Sequence, residues 1–178
     1  MTQPTTSDEL ELLKRHIRDV PDFPQPGVLF RDITPMLADP ESFSLAVDAL
    51  ARPYSGIDKV VAIESRGFIL GAPVALALHA GLVPVRKVGR LPADTLREDY
   101  SLEYGVNVVE IHKDAIQSGE RVLIVDDVLA TGGTVRAAAN LVQRLGGIVV
   151  GVSLLVELSF LGGRDRLQDL DLHTVLVY

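Results

Sequence analysis

Four apolar residues, Val122, Leu123, Ile124 and Val125, lead directly into two carboxylates, Asp126 and Asp127, and after Val128-Leu129-Ala130 into a Thr-Gly-Gly-Thr turn at 131–134. The alanine-rich stretch from Val135 reads as a helix, so the order is strand, loop, helix. An unbroken apolar run, β-branched at three of its four positions, suits a strand buried on both faces, as in a parallel sheet covered by helices. A loop leaving such a strand emerges at the carboxyl edge of the sheet, where open α/β proteins bind ligands.

The chemistry of this loop is specific. Gly132 and Gly133 let the backbone come close to a ligand, and Thr131 and Thr134 offer hydroxyls. Successive N–H groups at the start of the next helix would face an anion. Asp126 and Asp127 would repel a phosphate; as acceptor-only groups they suit the vicinal hydroxyls of a ribose. The stretch therefore asks for a sugar phosphate. The other common phosphate cradle, Gly-x-x-x-x-Gly-Lys-Ser/Thr, occurs nowhere in the chain.

Bulk properties exclude several alternatives. The 178 residues fit a single domain, 1–178, with enough chain for a substantial core. A net charge of −7 argues against general affinity for nucleic acid or acidic membrane surfaces. An acidic protein that handles polyphosphates needs local positive charge or a divalent cation. With no cysteine there can be no disulfide, cysteine–metal site or thiol nucleophile. No apolar run approaches the roughly 20 residues of a membrane span. The expectation is a soluble, cytoplasmic protein.

The remaining segments alternate in the same way. Thr6 and Glu9 form a capping box for a helix carrying Leu10, Leu13 and Ile17 up to Arg18. Residues 20–35 hold four prolines and a glycine, which predicts neither helix nor central strand. Phe23, Val28, Leu29, Phe30 and Ile33 within it either plug the core or enclose a flat base. Asp39-Pro40 opens a helix that runs toward Pro53. Lys59 to Ile63 reads as a second buried strand, followed by Glu64-Ser65-Arg66-Gly67 and a helix from Phe68 to Ala80 that Gly81 stops. Leu82 to Val85 is a third strand.

Arg86, Lys87 and Arg90 after it make either a solvated basic turn or a counter-charge for pyrophosphate. Pro92 to Gly105 is polar and lacks apolar periodicity, which suits a mobile lid. Val106 to Ile111 alternates as the strand of a returning hairpin, and Ile148–Val156 and His173–Val177 complete the strands. His16, His79, His112 and His173 show no spacing for metal or triad chemistry.

Residues 122–134 resemble the phosphoribosyl-pyrophosphate (PRPP) signature of the type I phosphoribosyltransferases. That resemblance implies that Ala130, Thr131, Gly132, Gly133 and Thr134 hold the 5′-phosphate and that Asp126 and Asp127 bind the ribose hydroxyls. Phe23-Pro24-x-Pro26-Gly27-x-x-Phe30-Arg31-Asp32 is similar to the base-binding hood of the adenine phosphoribosyltransferases, with Phe30 and Arg31 flanking the base. The turn with Ser65 and Arg66 resembles the family's pyrophosphate loop, which Arg86, Lys87 and Arg90 would extend. Family members favour lysine where Arg90 stands, and an arginine fork is not interchangeable with an ammonium. Leu102-Glu103-Tyr104-Gly105 is similar to the catalytic-loop motif, in which Glu103 would accept a proton and Tyr104 help close the site. By the same analogy Leu158 lies against the purine face.

The implied fold is α/β, a mainly parallel five-stranded sheet flanked by helices, with a hood from about residues 1–35 and a mobile catalytic loop. The implied reaction joins adenine to PRPP, giving AMP and pyrophosphate. Mg²⁺ would be held through PRPP oxygens and water rather than by direct protein ligands. A homodimer is expected by analogy. Two alternatives are a phosphoribosyltransferase for hypoxanthine, guanine or xanthine, and a non-catalytic PRPP-sensing regulator.

Overall fold

The stretch that organises the sequence also organises the sheet. The computed structural model describes residues 4–102 and 105–178. Helix α1 (Ser7–Arg15) is followed by β1 (Arg18–Pro21), β2 (Leu29–Asp32), α2 (Thr34–Ala38), α3 (Pro40–Ala51), β3 (Lys59–Ile63), α4 (Arg66–Ala77) and β4 (Gly81–Lys87). Then come β5 (Thr95–Leu102), β6 (Gly105–His112), β7 (Arg121–Leu129), α5 (Gly133–Arg144), β8 (Ile148–Glu157), two 3₁₀ turns (Ser159–Leu161 and Gly163–Leu167) and β9 (Leu172–Val177).

Strand β7 pairs in parallel with β3 and β8, and β4 and β9 extend the parallel sheet on either side. The order β4-β3-β7-β8-β9 is the expected five-stranded parallel core. Beyond β4 the sheet continues with an antiparallel hairpin, β6 and then β5. Successive β7 side chains serve opposite faces. Leu123 and Val125 join the core under α1, α3 and α4, whereas Val122 and Ile124 join the one under α5. All four are fully buried, and each such aliphatic side chain contributes about 1.5–3 kcal/mol.

Several boundaries differ from the sequence expectation. Helix α1 carries the capping box, with reciprocal bonds between Thr6 and Glu9. It stops at Arg15 rather than Arg18, because Arg18–Pro21 pairs with Leu29–Asp32 in a two-stranded antiparallel ribbon separate from the main sheet. The prolines permit this: Pro24 and Pro26 fall in the connecting turn, and Pro21 ends its strand. Pro35 stands in the first turn of α2, where its missing N–H costs nothing, so the segment ends in a helix after all.

Helix α4 starts at Arg66 rather than Phe68 and ends at Ala77. His79, at φ 54°, makes the reversal assigned to Gly81, which is already the first residue of β4.

The expected lid loop at 92–105 contains strand β5, paired with β6 from Thr95↔His112 to Leu102↔Gly105. Its apolar alternation was hidden by Glu98. Leu96 and Tyr100 pack against the α5 core, but Glu98 between them accepts hydrogen bonds from Asn140 and Arg144 of α5.

Candidate active site

The carboxyl ends of β3, β4 and β7 point the same way, because the three strands are parallel neighbours. At the end of β7, Ala130–Thr134 wraps a cup of about 170 Å³ lined by Asp126, Val128 and the loop through Val135. Gly132 stands at φ 79° and precedes α5 without any side-chain cap on that helix. A Cβ at Gly132 would lie 2.6 Å from the carbonyl oxygen of Gly163, and one on Gly163 would overlap the carbonyl oxygen of Ala130. The phosphate-type loop is thus pressed against the turn that follows β8, a support the sequence reading did not identify. Arg164 holds that turn through its bonds to Glu157, at 3.0 and 2.6 Å.

Helix termini separate the site from the rest of the molecule. Away from this edge, α1 is capped by Thr6 and α3 by Asp39, each accepting from a first-turn N–H. At this edge, α4 and α5 have no side-chain cap. Their first N–H groups and the positive ends of their dipoles are left for an anion.

Asp126 and Asp127 are buried, at 8% and 6% exposure. Burial pushes the Asp126 pKa well above the ordinary carboxylate value, and the neighbouring charge of Asp127 pushes it further the same way. Asp127 forms an ion pair with Arg66, Nε to Oδ2 2.5 Å. The same guanidinium lies 4.9 Å from the centre of the Phe30 ring, so Arg66 joins the acid pair to the hood. Ser65 precedes α4 and makes no cap bond with its side chain.

Arg86, Lys87 and Arg90 come together around Glu64. Its carboxylate receives Arg86 Nε at 3.2 Å and the Lys87 N–H at 3.1 Å, and pairs with Arg90 at 3.3 Å. Arg86 also donates to the Arg90 carbonyl. The two guanidiniums and the Lys87 backbone are gathered by Glu64. Among the described residues no group of three His, Asp or Glu side chains is arranged to hold a metal.

On the hood side a cavity of about 390 Å³ is lined by Val20, Phe23, Phe30, Asp32, Thr34 and Arg66. Phe23 and Phe30 meet edge to face at 5.1 Å. Asp32 is drawn down to a pKa of about 2, chiefly by the Thr34 N–H and by Arg18. Val20 and Thr34 were not singled out from sequence, and Asp32 only as the end of the hood motif; the alternation of a short ribbon, once recognised, puts Val20, Phe30 and Asp32 on one face.

That same alternation turns Arg31 away. Its guanidinium stacks 4.0 Å from the centre of Tyr178 and pairs with Asp19, so its side chain does not share the Phe30 cavity. Leu158 packs against the core under α1 and α3, and its N–H bonds the Leu129 carbonyl; it is not a wall of that cavity. Glu103 and Tyr104 lie outside the described residues.

Comparison with known proteins agrees with this geometry. Residues 37–172 match the family model of the phosphoribosyl transferase domain, which defines the class. An adenine phosphoribosyltransferase of Thermobifida fusca (strain YX) is 57% identical over 172 residues, covering 96% of this chain and 98% of the relative. The crystal structure of the adenine phosphoribosyltransferase from Rhodothermus marinus superposes with a TM-score of 0.93 at 56% identity, covering 97% of this chain and all of that one. The Saccharomyces cerevisiae adenine phosphoribosyltransferase, crystallised with an imino-altritol bisphosphate and adenine, gives 0.91 at 40% identity over 96% of this chain and all of that one. The chain belongs to the phosphoribosyltransferases and, among them, to the adenine phosphoribosyltransferase family.

Proposed function

We propose that this chain transfers the 5-phosphoribosyl group of PRPP to adenine: the bond from ribose C1 to pyrophosphate breaks, the bond from C1 to adenine N9 forms, and AMP and pyrophosphate leave. The observation that carries this reading is the pair of uncapped helix starts at α4 and α5 flanking the buried Asp126–Asp127 pair. Anion-binding ends on either side of two hydroxyl acceptors match the order phosphate, ribose, pyrophosphate along PRPP.

The roles follow from chemistry. Residues Ala130 to Thr134 bind the 5′-phosphate through their N–H groups and hydroxyls. Asp126 and Asp127 accept from the ribose hydroxyls. Departure of pyrophosphate before full bonding to the base builds positive charge at C1, so the leaving anion must be steadied. Ser65, Arg66, Arg86, Lys87 and Arg90 supply that stabilisation.

Magnesium fits the donors present. Asp126 and Asp127 are hard oxygen donors and would hold the ion through water and the PRPP hydroxyls, in keeping with its reluctance to dehydrate. When bound, it supplies charge neutralisation on the phosphates.

Phe30 stacks on the base; Arg31, whose side chain turns to Asp19 and Tyr178, would serve the base only through its backbone, and Leu158 is assigned to the purine face by resemblance, from outside the Phe30 cavity. The adenine held by the yeast relative supports this choice of base. Adenine presents an amino donor at C6 where hypoxanthine and guanine present an acceptor, so the subsite must offer an acceptor, for which backbone carbonyls of the ribbon are suited. Glu103 takes the N9 proton while the hairpin, with Tyr104, shuts out water that would otherwise capture the activated ribose.

We further propose a homodimer in the cytoplasm. The exposed Ile69, Leu76 and Leu82 on α4 and β4 support self-association, and no helix of the described residues is long and apolar enough to cross a membrane.

The test offers adenine, hypoxanthine, guanine, xanthine and orotate separately with PRPP and Mg²⁺, to the wild type and to Glu103→Gln. AMP formed from adenine alone, at a rate at least about a hundredfold lower in the variant, is expected. Use of another base would sink the adenine reading, and undiminished turnover by the variant at all pH values would remove Glu103 from proton transfer.

A further inference from the structure

One buried carboxylate outside the family motifs sits between the cationic turn and the hairpin. Glu110 is on β6 and only 1% exposed. Its Oε1 accepts from the backbone N–H groups of Gly89, Arg90 and Leu91 at 2.8, 3.1 and 3.2 Å. Its Oε2 accepts from the Thr95 hydroxyl at 3.0 Å and from Arg97 Nε at 3.3 Å, both on β5. Burial alone would raise its pKa, but the donors from Leu91, Thr95, Arg90 and Gly89 outweigh burial and hold it ionised.

The arrangement divides labour between two acids. Glu64 grips the side chains of Arg86 and Arg90, whereas Glu110 grips the backbone that carries Arg90. The Gly89–Leu91 turn has no partner strand of its own, since β4 ends at Lys87. Without an acceptor its three N–H groups would have no fixed direction. The other oxygen of Glu110 holds the start of β5, the strand that leads to Glu103.

We propose that Glu110 is a positioning residue for the pyrophosphate subsite: it sets the Gly89–Leu91 backbone so that Arg90 faces the leaving group, and ties that turn to the root of the catalytic hairpin. The inference rests on the function proposed above.

Calorimetric titration with magnesium pyrophosphate tests it directly, without turnover. Glu110→Gln keeps the shape but puts an amide NH₂ among groups that are all donors. It should weaken pyrophosphate binding roughly five- to tenfold, the scale of one charge-assisted hydrogen bond, and raise KM for PRPP similarly while KM for adenine stays within about twofold. The effect should largely vanish in an Arg90→Met background, because Glu110 acts through Arg90. Thr95→Val, which removes a single neutral donor, should shift pyrophosphate affinity the same way by about two- to threefold and serves if the glutamine variant does not fold.

A merely structural role would lower kcat in proportion to the folded fraction and leave both KM values and the pyrophosphate affinity unchanged; that result overturns the proposal. Wild-type protein that binds no magnesium pyrophosphate would overturn the proposed function together with this role. Wild-type binding matched by both variants would overturn this role alone.

Discussion

At the phosphate end of the site, Asp126 to Thr134 follow one another along the chain and present mainly backbone, packed against a second backbone turn at Gly162-Gly163. At the base end, Val20, Phe23, Phe30, Asp32, Thr34 and Arg66 come from separate elements and present side chains around an exposed ribbon. The first design leaves no slack, because backbone presses on backbone. The second can repack, because rings and long side chains have rotamers to adjust. Changes at the phosphate end should therefore abolish chemistry with little loss of fold, and changes at the base end should alter one substrate's affinity.

The largest effect should come from Gly163→Ala. The added methyl overlaps the Ala130 carbonyl oxygen, and a displacement of about 1 Å in a phosphate cradle costs on the order of a hundredfold in rate. Steady-state kinetics should show kcat/KM for PRPP down by about that factor with the far-UV spectrum unchanged, since overpacking itself costs only about 1–3 kcal/mol. Wild-type PRPP kinetics in this variant would break the contrast.

Phe30→Ala is the matching change in the hood. Removal of one stacking face, worth about 0.5–1.5 kcal/mol beyond area, together with lost contact should raise KM for adenine roughly tenfold and leave KM for PRPP within about twofold. Equal shifts in both would show that the two ends are not independent.

The smallest effect is thermal. The folded-state pKa of Asp126 is raised by burial and by Asp127, so its contribution is most favourable below the unfolded carboxylate pKa of about 3.9 and is lost as pH rises through the folded value. At any pH above the unfolded value the ligand-free wild type carries a cost that grows as pH rises. Asp126→Asn, which keeps an acceptor for the Asp127 N–H, should melt about 2–4 °C higher at pH 7 while turnover falls. The gain should shrink toward pH 3, and a lower Tm at pH 7 would show that the charge is compensated.

How much of this was legible follows the same divide. The strand–loop–helix order around the acid pair could be read because its strand, acids, glycines and helix are contiguous, and the five parallel strands announced themselves as apolar runs. The ribbon could not be read from periodicity, since prolines masked four-residue strands that pair across a proline-bearing turn. Without the ribbon there was no way to see that Phe30 and Arg31 face opposite sides. Strand β5 was hidden by Glu98, an acid on an inward face whose partners, Asn140 and Arg144, lie more than 40 residues away. Glu110 left one faint sign, a lone charge in the apolar run Val108-Val109-Glu110-Ile111.

Glu64 has a consequence for the catalytic cycle as a whole. Two cations, Arg86 and Arg90, pair with a single carboxylate that also accepts the Lys87 backbone N–H. An anion arriving there exchanges partners rather than meeting bare charge, so the net gain is smaller than two free guanidiniums would give. In the proposed reaction, affinity moderated in this way would favour turnover over product retention: pyrophosphate would be steadied while its bond breaks, and as it departs Glu64 is at hand to receive the arginines again.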